Sequence, residues 1–201
     1  MGASYSPGGR IVLENVTVRY LIETAWHLHE HQLVGAPAWI DTAQFDIEAK
    51  PETEAAGMQD VRGRMIQAAL TDRFGLVFHR ETKELPVHAL VIAKNGPILT
   101  PGVMDETSGG SSSGRGLVQG KGESTQALAE FLSGSLERTV VDKTGLTGVY
   151  NFKLKWRPDL EDGDAPSIFT AIQEQLGLKL EPQKGPVELF VIDHVAPPSD
   201  N

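Results

Sequence analysis

The chain has 201 residues, 40% hydrophobic and 22% charged, with a formal net charge of −9. That is the make-up of one large or two small folded domains, and its acidity argues against the cationic face a nucleic-acid partner requires. No cysteine is present, which excludes disulfides, thiolate metal sites and cysteine nucleophiles, and no apolar run approaches the ~20 residues of a membrane span.

Residues 1–10 are small, polar and rich in Gly and Pro, and read as a flexible lead-in without the apolar segment of a secretory signal. Residues 11–14 suggest a short strand. Asn15 or Thr17 is placed to cap a helix whose apolar stripe is Val18, Leu21, Ile22 and Ala25. After a turn at Gly35, Ala36 and Pro37, the residues Phe45, Ile47 and Ala49 alternate with Asp46, Glu48 and Lys50, the pattern of a strand with one wet face. An acidic loop at 51–57 precedes the strongest helix of the first half, marked by Val61, Met65, Ile66, Ala69, Leu70 and Phe74 and stopped by Gly75. Residues 76–80 and 87–93 then predict two strands of a hairpin, with a polar turn between them and Pro86 at the entry to the second.

Residues 95–116, with the run GGSSSGRG, predict a linker or loop, because such a composition buries too little apolar surface to offset chain entropy. The second half repeats the order. A weak strand at 117–119 leads to Ser124, which caps a helix bearing Leu128, Phe131 and Leu132. A short strand at 139–141 and an alternating strand with Tyr150, Phe152, Leu154 and Trp156 follow. After an acidic loop at 158–166, Ser167 starts a helix with Ile168, Ile172 and Leu176, stopped by Gly177. Residues 178–181 and 187–195 predict a second hairpin, and 196–201 a tail.

Ordered matches connect the halves: Phe45-Asp46-Ile47 with Tyr150-Asn151-Phe152, Phe74-Gly75-Leu76 with Leu176-Gly177-Leu178, and Pro86-Val87 with Pro186-Val187. They predict an α+β fold made of two duplicated β-α-β-β-α-β-β units, 11–94 and 117–195. Each unit would be a small mixed or antiparallel sheet with its helices packed on one face.

Five runs carry a resemblance: GGRIVLENVTVRYLIETAW, PAWIDTAQFDIEAK, ALTDRFGLVFHRETKELPVHALVIAKNGP, VVDKTGLTGVYNFKLKW and FTAIQEQLGLKLEPQKGPVELFVIDHV. Together they closely resemble a soil-associated protein family abundant in Acidobacteria and known as a domain of unknown function. The resemblance implies an exported protein, periplasmic or extracellular, and brings no catalytic residue with it. Members carry an export signal and a strand-like F-E-V-A-S-V-K-P segment ahead of this region, neither of which stands in the given sequence. In its element pattern each half also looks like the short N-terminal domain of secretins and TonB-dependent receptors, a small interaction module.

Several constellations are candidates for chemistry. His27, His29 and His31 would share one side of a strand and could hold zinc or copper there, whereas a helix leaves only His27 and His31 on a common face; without such a site no cofactor is expected. His79 with Glu81 or Asp72 offers an acid/base pair for a hydrolase, against the plainer reading of a polar pair that supports the hairpin. Trp39, Arg73, His79 and His88 are candidate ligand contacts. Ser111, Ser112 and Ser113 lack the strained G-x-S-x-G setting of a nucleophile. Asp142 reads as a turn residue bonding nearby amides. Asp193 and His194 should face opposite sides of their strand. The acidic residues at 52–54 and 159–164 lack calcium-loop spacing. The expected function is a non-catalytic binding module whose ligand is a peptide, a protein strand or a glycan, with a homodimer through exposed sheet edges as a further expectation. The alternative is a small hydrolase of glycosidic or ester bonds.

Overall fold

The structure is a computed structural model and describes residues 2–5, 11–49, 58–103, 110–114, 116–158 and 165–198. Strand β1 (Gly2–Tyr5) lies antiparallel to β2 (Ile11–Thr17), which passes directly into α1 (Val18–Trp26). Thr17 sets the switch: its backbone is extended, and its hydroxyl accepts the free N–H of Tyr20 at 3.2 Å. Val18, Leu21, Ile22 and Ala25 are all buried, as their helical spacing demands. Next come a 3₁₀ turn (Glu30–Gln32), β3 (Leu33–Val34), α2 (Trp39–Thr42) and β4 (Gln44–Ala49), whose residues alternate between exposed and half-buried. Helix α3 (Met58–Phe74) buries Ile66, Leu70 and Phe74 and stops at Gly75, where φ is +58°.

The rest of the chain adds further strands and two helices. After β5 (Val77–Ile92), β6 (Thr100–Pro101) and β7 (Gly110–Gly114) come β8 (Leu117–Ser124), α4 (Thr125–Ser135), β9 (Val140–Asp142), β10 (Val149–Lys155), α5 (Ile168–Leu176) and β11 (Leu178–His194). The hydroxyls of Ser124 and Ser167 accept the amides of Ala127 and Thr170 at 3.1 and 3.2 Å, and so cap α4 and α5. Gly177 ends α5 at φ +62°; a Cβ there would collide with the carbonyl oxygen of Gly96.

The fold is α+β. Two sheets are antiparallel, with strand orders β1-β2-β4 and β6-β10-β8-β7. The third is mixed, in the order β3-β11-β5-β9, with β3 parallel to β11 and β9 parallel to β5. The chain divides into two compact units. The first comprises Met1–Lys83 with Val187–Asn201, and the second Glu84–Pro186. The first has its own core of Ile11, Leu13, Val16, Leu21, Ile22, Ile40, Leu70, Phe74 and Phe190. The second is centred on Leu90, Val118, Leu128, Leu132, Leu154, Ile172, Leu176 and Leu178.

Four expectations are corrected. Neither predicted hairpin forms: residues 77–92 are one unbroken strand, and so are residues 178–194. Each half of the sequence therefore has one long strand where two were expected. The polar run from Glu81 to Glu84 stays extended because β5 has β11 along one side and the side chains of Thr82, Lys83 and Glu84 are exposed. The linker expected at 95–116 contains β6 and β7, and β7 pairs with β8 from Gly110↔Lys121 to Gly114↔Leu117. Residues 2–5 of the expected lead-in form β1. The acidic stretches at 51–57 and 159–164 lie outside the described residues. The compact units also differ from the sequence halves 11–94 and 117–195, since the first unit takes residues from both ends of the chain.

Candidate functional site

In the first unit, β5 and β11 bring together side chains more than a hundred residues apart. His79 Nδ1 lies 2.9 and 3.0 Å from the two carboxylate oxygens of Asp193, with 54% and 43% of the two side chains exposed. A hydrogen bond to Nδ1 orients the imidazole and directs Nε2 away from its partner. On the other face of the same strands, Arg80 donates to Glu188 at 2.5 Å, and the side-chain amide of Gln32 donates to the Glu188 carbonyl at 3.3 Å. On the core side, Phe78 stacks on Phe190 at 3.9 Å, and the ring of Trp26 meets both at 5.0 Å. The aromatic cluster holds the two strands together on the face opposite the His79–Asp193 pair.

The backbone along this stretch has a definite polarity. The N–H of His88 donates to Thr139 and the carbonyl of Leu90 accepts from Lys143, so the even-numbered residues of β5 turn their backbone groups toward its outer edge. Strand β9 covers that edge only from His88 to Leu90. Over residues 78–86 no strand lies beside it among the described residues. There Arg80, Thr82 and Glu84 present N–H and C=O groups outward, and all three side chains are exposed. The Glu188 carbonyl, which accepts from Gln32, shows that the even-numbered residues of β11 also face out. Two of the three such positions from 182 to 186 on β11 are prolines, Pro182 and Pro186, which have no N–H.

The predicted site residues are dispersed. His79 is paired with Asp193, not with Glu81 or Asp72. Glu81 forms an ion pair with Lys83 at 3.0 Å, while Asp72 and Arg73 are exposed in the last turn of α3. Trp39 is half-buried against the first core, its ring edge-on to Phe45 at 6.4 Å. His88 is half-buried beside Phe169, with centroids 5.6 Å apart; burial and then the charge of Arg138 hold its pKa below the usual value. His27 is exposed and closes α1 in the left-handed conformation, φ +54°. The rings of His29 and His31 stack at 5.7 Å, and burial followed by the neighbouring His29 lowers the His31 pKa. These three do not form a metal cradle: among the described residues no group of three or more His, Asp or Glu side chains is arranged to hold an ion.

Sequence reasoning missed two features. One is Asp193 as the partner of His79, a pairing that only the unbroken strands make possible. The other is a polar triad in the second unit, in which two buried threonines hold a half-buried aspartate. Thr125 donates to Asp142 at 2.6 Å, Asp142 accepts the amide and hydroxyl of Thr144 at 2.9 and 2.8 Å, and the Thr144 hydroxyl accepts the N–H of Leu146 at 3.2 Å. The Asp142 turn was legible from sequence; the helix residue that completes it was not. The second unit also has a cleft of about 220 Å³, whose lining includes Ala93, Lys94, Ile98, Gln173, Glu174 and Gly177. It holds one carboxylate and no histidine, so it does not assemble the paired groups of an acid/base site.

Among the described residues no helix is long and apolar enough to cross a membrane. A family model described as a protein of unknown function, DUF3738, matches residues 19–195. No curated protein and no solved structure matches the chain.

Proposed function

The chain belongs to the DUF3738 family across residues 19–195, and on that footing we propose that it is a non-catalytic interaction module which holds an extended protein strand against the open edge of β5. One observation carries this reading: Arg80, Thr82 and Glu84 offer a row of outward backbone donors and acceptors with no strand beside them among the described residues. Such a row recruits a further strand through main-chain hydrogen bonds. Its even spacing suits a peptide or protein strand better than a glycan. The reading includes export to the bacterial envelope or beyond, as the resemblance to the soil-associated family implies, and the role of an interaction module that the secretin-like element pattern suggests.

It also includes descent of the two halves from one duplicated unit. Strands β2 and β4 pair antiparallel with an irregularity at Asn15, φ +59°, whose N–H is accepted by Asp46 at 2.8 Å. Strands β8 and β10 pair antiparallel with an irregularity near Gly122, φ +63°, whose N–H is accepted by Asn151 at 2.9 Å. Asp46 and Asn151 are matching positions of the two halves. Strands β3 and β9 are likewise both short and parallel to a long strand.

The test is hydrogen exchange at the Arg80, Thr82 and Glu84 amides in dilute protein, titrated with a panel of extended peptides. Protection by at least one peptide, lost in Thr82→Pro, is expected. Edge amides that no peptide protects would overturn the reading.

The His79–Asp193 pair favours a second reading, a hydrolase in which an oriented imidazole acts as general base. A screen of ester and glycoside substrates decides it: turnover abolished by both His79→Ala and Asp193→Asn would displace the binding module.

A further inference from the structure

The open edge of β5 reads Arg80-Glu81-Thr82-Lys83-Glu84. Laid antiparallel against itself about Thr82, this run places Arg80 opposite Glu84, Glu81 opposite Lys83 and Thr82 opposite Thr82. Every charge then meets its opposite. We infer that the strand held by this edge is the same edge of a second copy, giving a two-fold symmetric dimer with its axis at Thr82.

The hydrogen-bonding phase agrees with that axis. In an antiparallel ladder, facing residues exchange both their N–H···O=C bonds only where both turn their backbone groups toward the partner. Arg80, Thr82 and Glu84 are the residues of this run that do so. The pairs 80 with 84, 82 with 82 and 84 with 80 are therefore all hydrogen-bonded pairs. An axis at Glu81 or Lys83 would keep the same hydrogen-bonding phase but would set like charges opposite each other, Glu81 against Glu81 or Lys83 against Lys83.

The side chains reach solvent, with Arg80 also paired to Glu188 of its own chain. Those of Arg80, Lys83 and Glu81 are 50%, 49% and 43% exposed, and Glu81 and Lys83 already lie 3.0 Å apart on one face. Across the axis they form a square of alternating charge with their counterparts. The corresponding stretch of β11 is barred from such pairing, because Pro182 and Pro186 remove two of its three outward N–H groups. Pro86 ends the open run on β5 in the same way. An isologous contact of this kind closes on itself, so the assembly stops at two.

This inference rests on the reading of the β5 edge as a strand-binding site and names its occupant. The test is sedimentation equilibrium of the full chain over a wide concentration range, with two variants. Glu81→Lys with Glu84→Lys makes the edge wholly cationic, and Arg80→Glu with Lys83→Glu makes it wholly anionic. Each alone should weaken self-association about tenfold or more, since like charges then face each other. An equimolar mixture should form a heterodimer at least as tight as the native dimer, an outcome that also shows both variants to be folded. Rising salt should loosen the native dimer. Self-association unchanged by either variant, or a mixture that stays monomeric, overturns the proposal. A native chain that is monomeric throughout, while an added peptide still protects the Thr82 amide, overturns self-pairing and leaves the strand-binding reading standing. A monomer whose edge no peptide protects overturns both.

Discussion

Thr125 is 2% exposed, and its hydroxyl is the donor that ties α4 to the Asp142 turn. Thr125→Val keeps the shape and removes that donor, so the half-buried carboxylate loses a partner. The expected cost is about 1–3 kcal/mol in denaturant unfolding. Histidines set a second expectation. His88 and His31 both have pKa values pushed below the ordinary 6.5, in each case first by burial. As pH falls through that value the unfolded chain takes up protons before the folded one does. Stability is therefore full above about pH 6.5 and is lost as pH falls toward the folded-state values. His88→Gln should flatten the slope of melting temperature against pH between 7 and 5. The candidate site was only partly legible at this scale. A carboxylate beside His79 was foreseeable, but choosing Asp193 over Glu81 requires the phase and pairing of two long strands. Local spacing brings out neighbours in the chain, and here the neighbour is already engaged by Lys83.

Helices α1, α3, α4 and α5 were legible because their signals are local: a capping hydroxyl at Thr17, Ser124 or Ser167, an apolar stripe, and a left-handed glycine at Gly75 or Gly177. The long strands were not, because their middle sections carry polar residues and proline, which read as turns in isolation. Proline is tolerated in a strand where its missing N–H would have faced away from the ladder. Pro86 of β5, and Pro182 and Pro186 of β11, all occupy such outward positions. The same alternation predicts an asymmetry on β5. Thr82→Pro removes an outward N–H and should change stability by no more than about 0.5 kcal/mol. Glu81→Pro removes an N–H directed at β11 and should cost about 3 kcal/mol or more. Thermal unfolding of the two variants checks both values, and equal losses would show that the assigned phase is wrong.

At the scale of the whole molecule, the second unit is one uninterrupted segment, Glu84–Pro186, and all the buried residues of its core lie within it. The first unit is split, and its core includes Phe190, Ile192 and Val195 from the end of the chain. A fragment spanning 84–186 should unfold cooperatively, whereas 1–94 should show no cooperative transition. Adding a peptide of residues 187–201 to 1–83 should restore one, as read by circular dichroism against temperature. Division at the Gly/Ser-rich stretch, the boundary suggested by composition, leaves both long strands without their neighbours. The split first unit also sets an order in time. As the chain leaves the ribosome, the second unit has all its parts once residue 186 has emerged, but the first lacks part of its core until residues 187–195 follow. The amino-terminal region, made earliest, is thus the last to close. During that delay its apolar side chains remain available to whatever binds unfolded chains, a holding chaperone or an export machine.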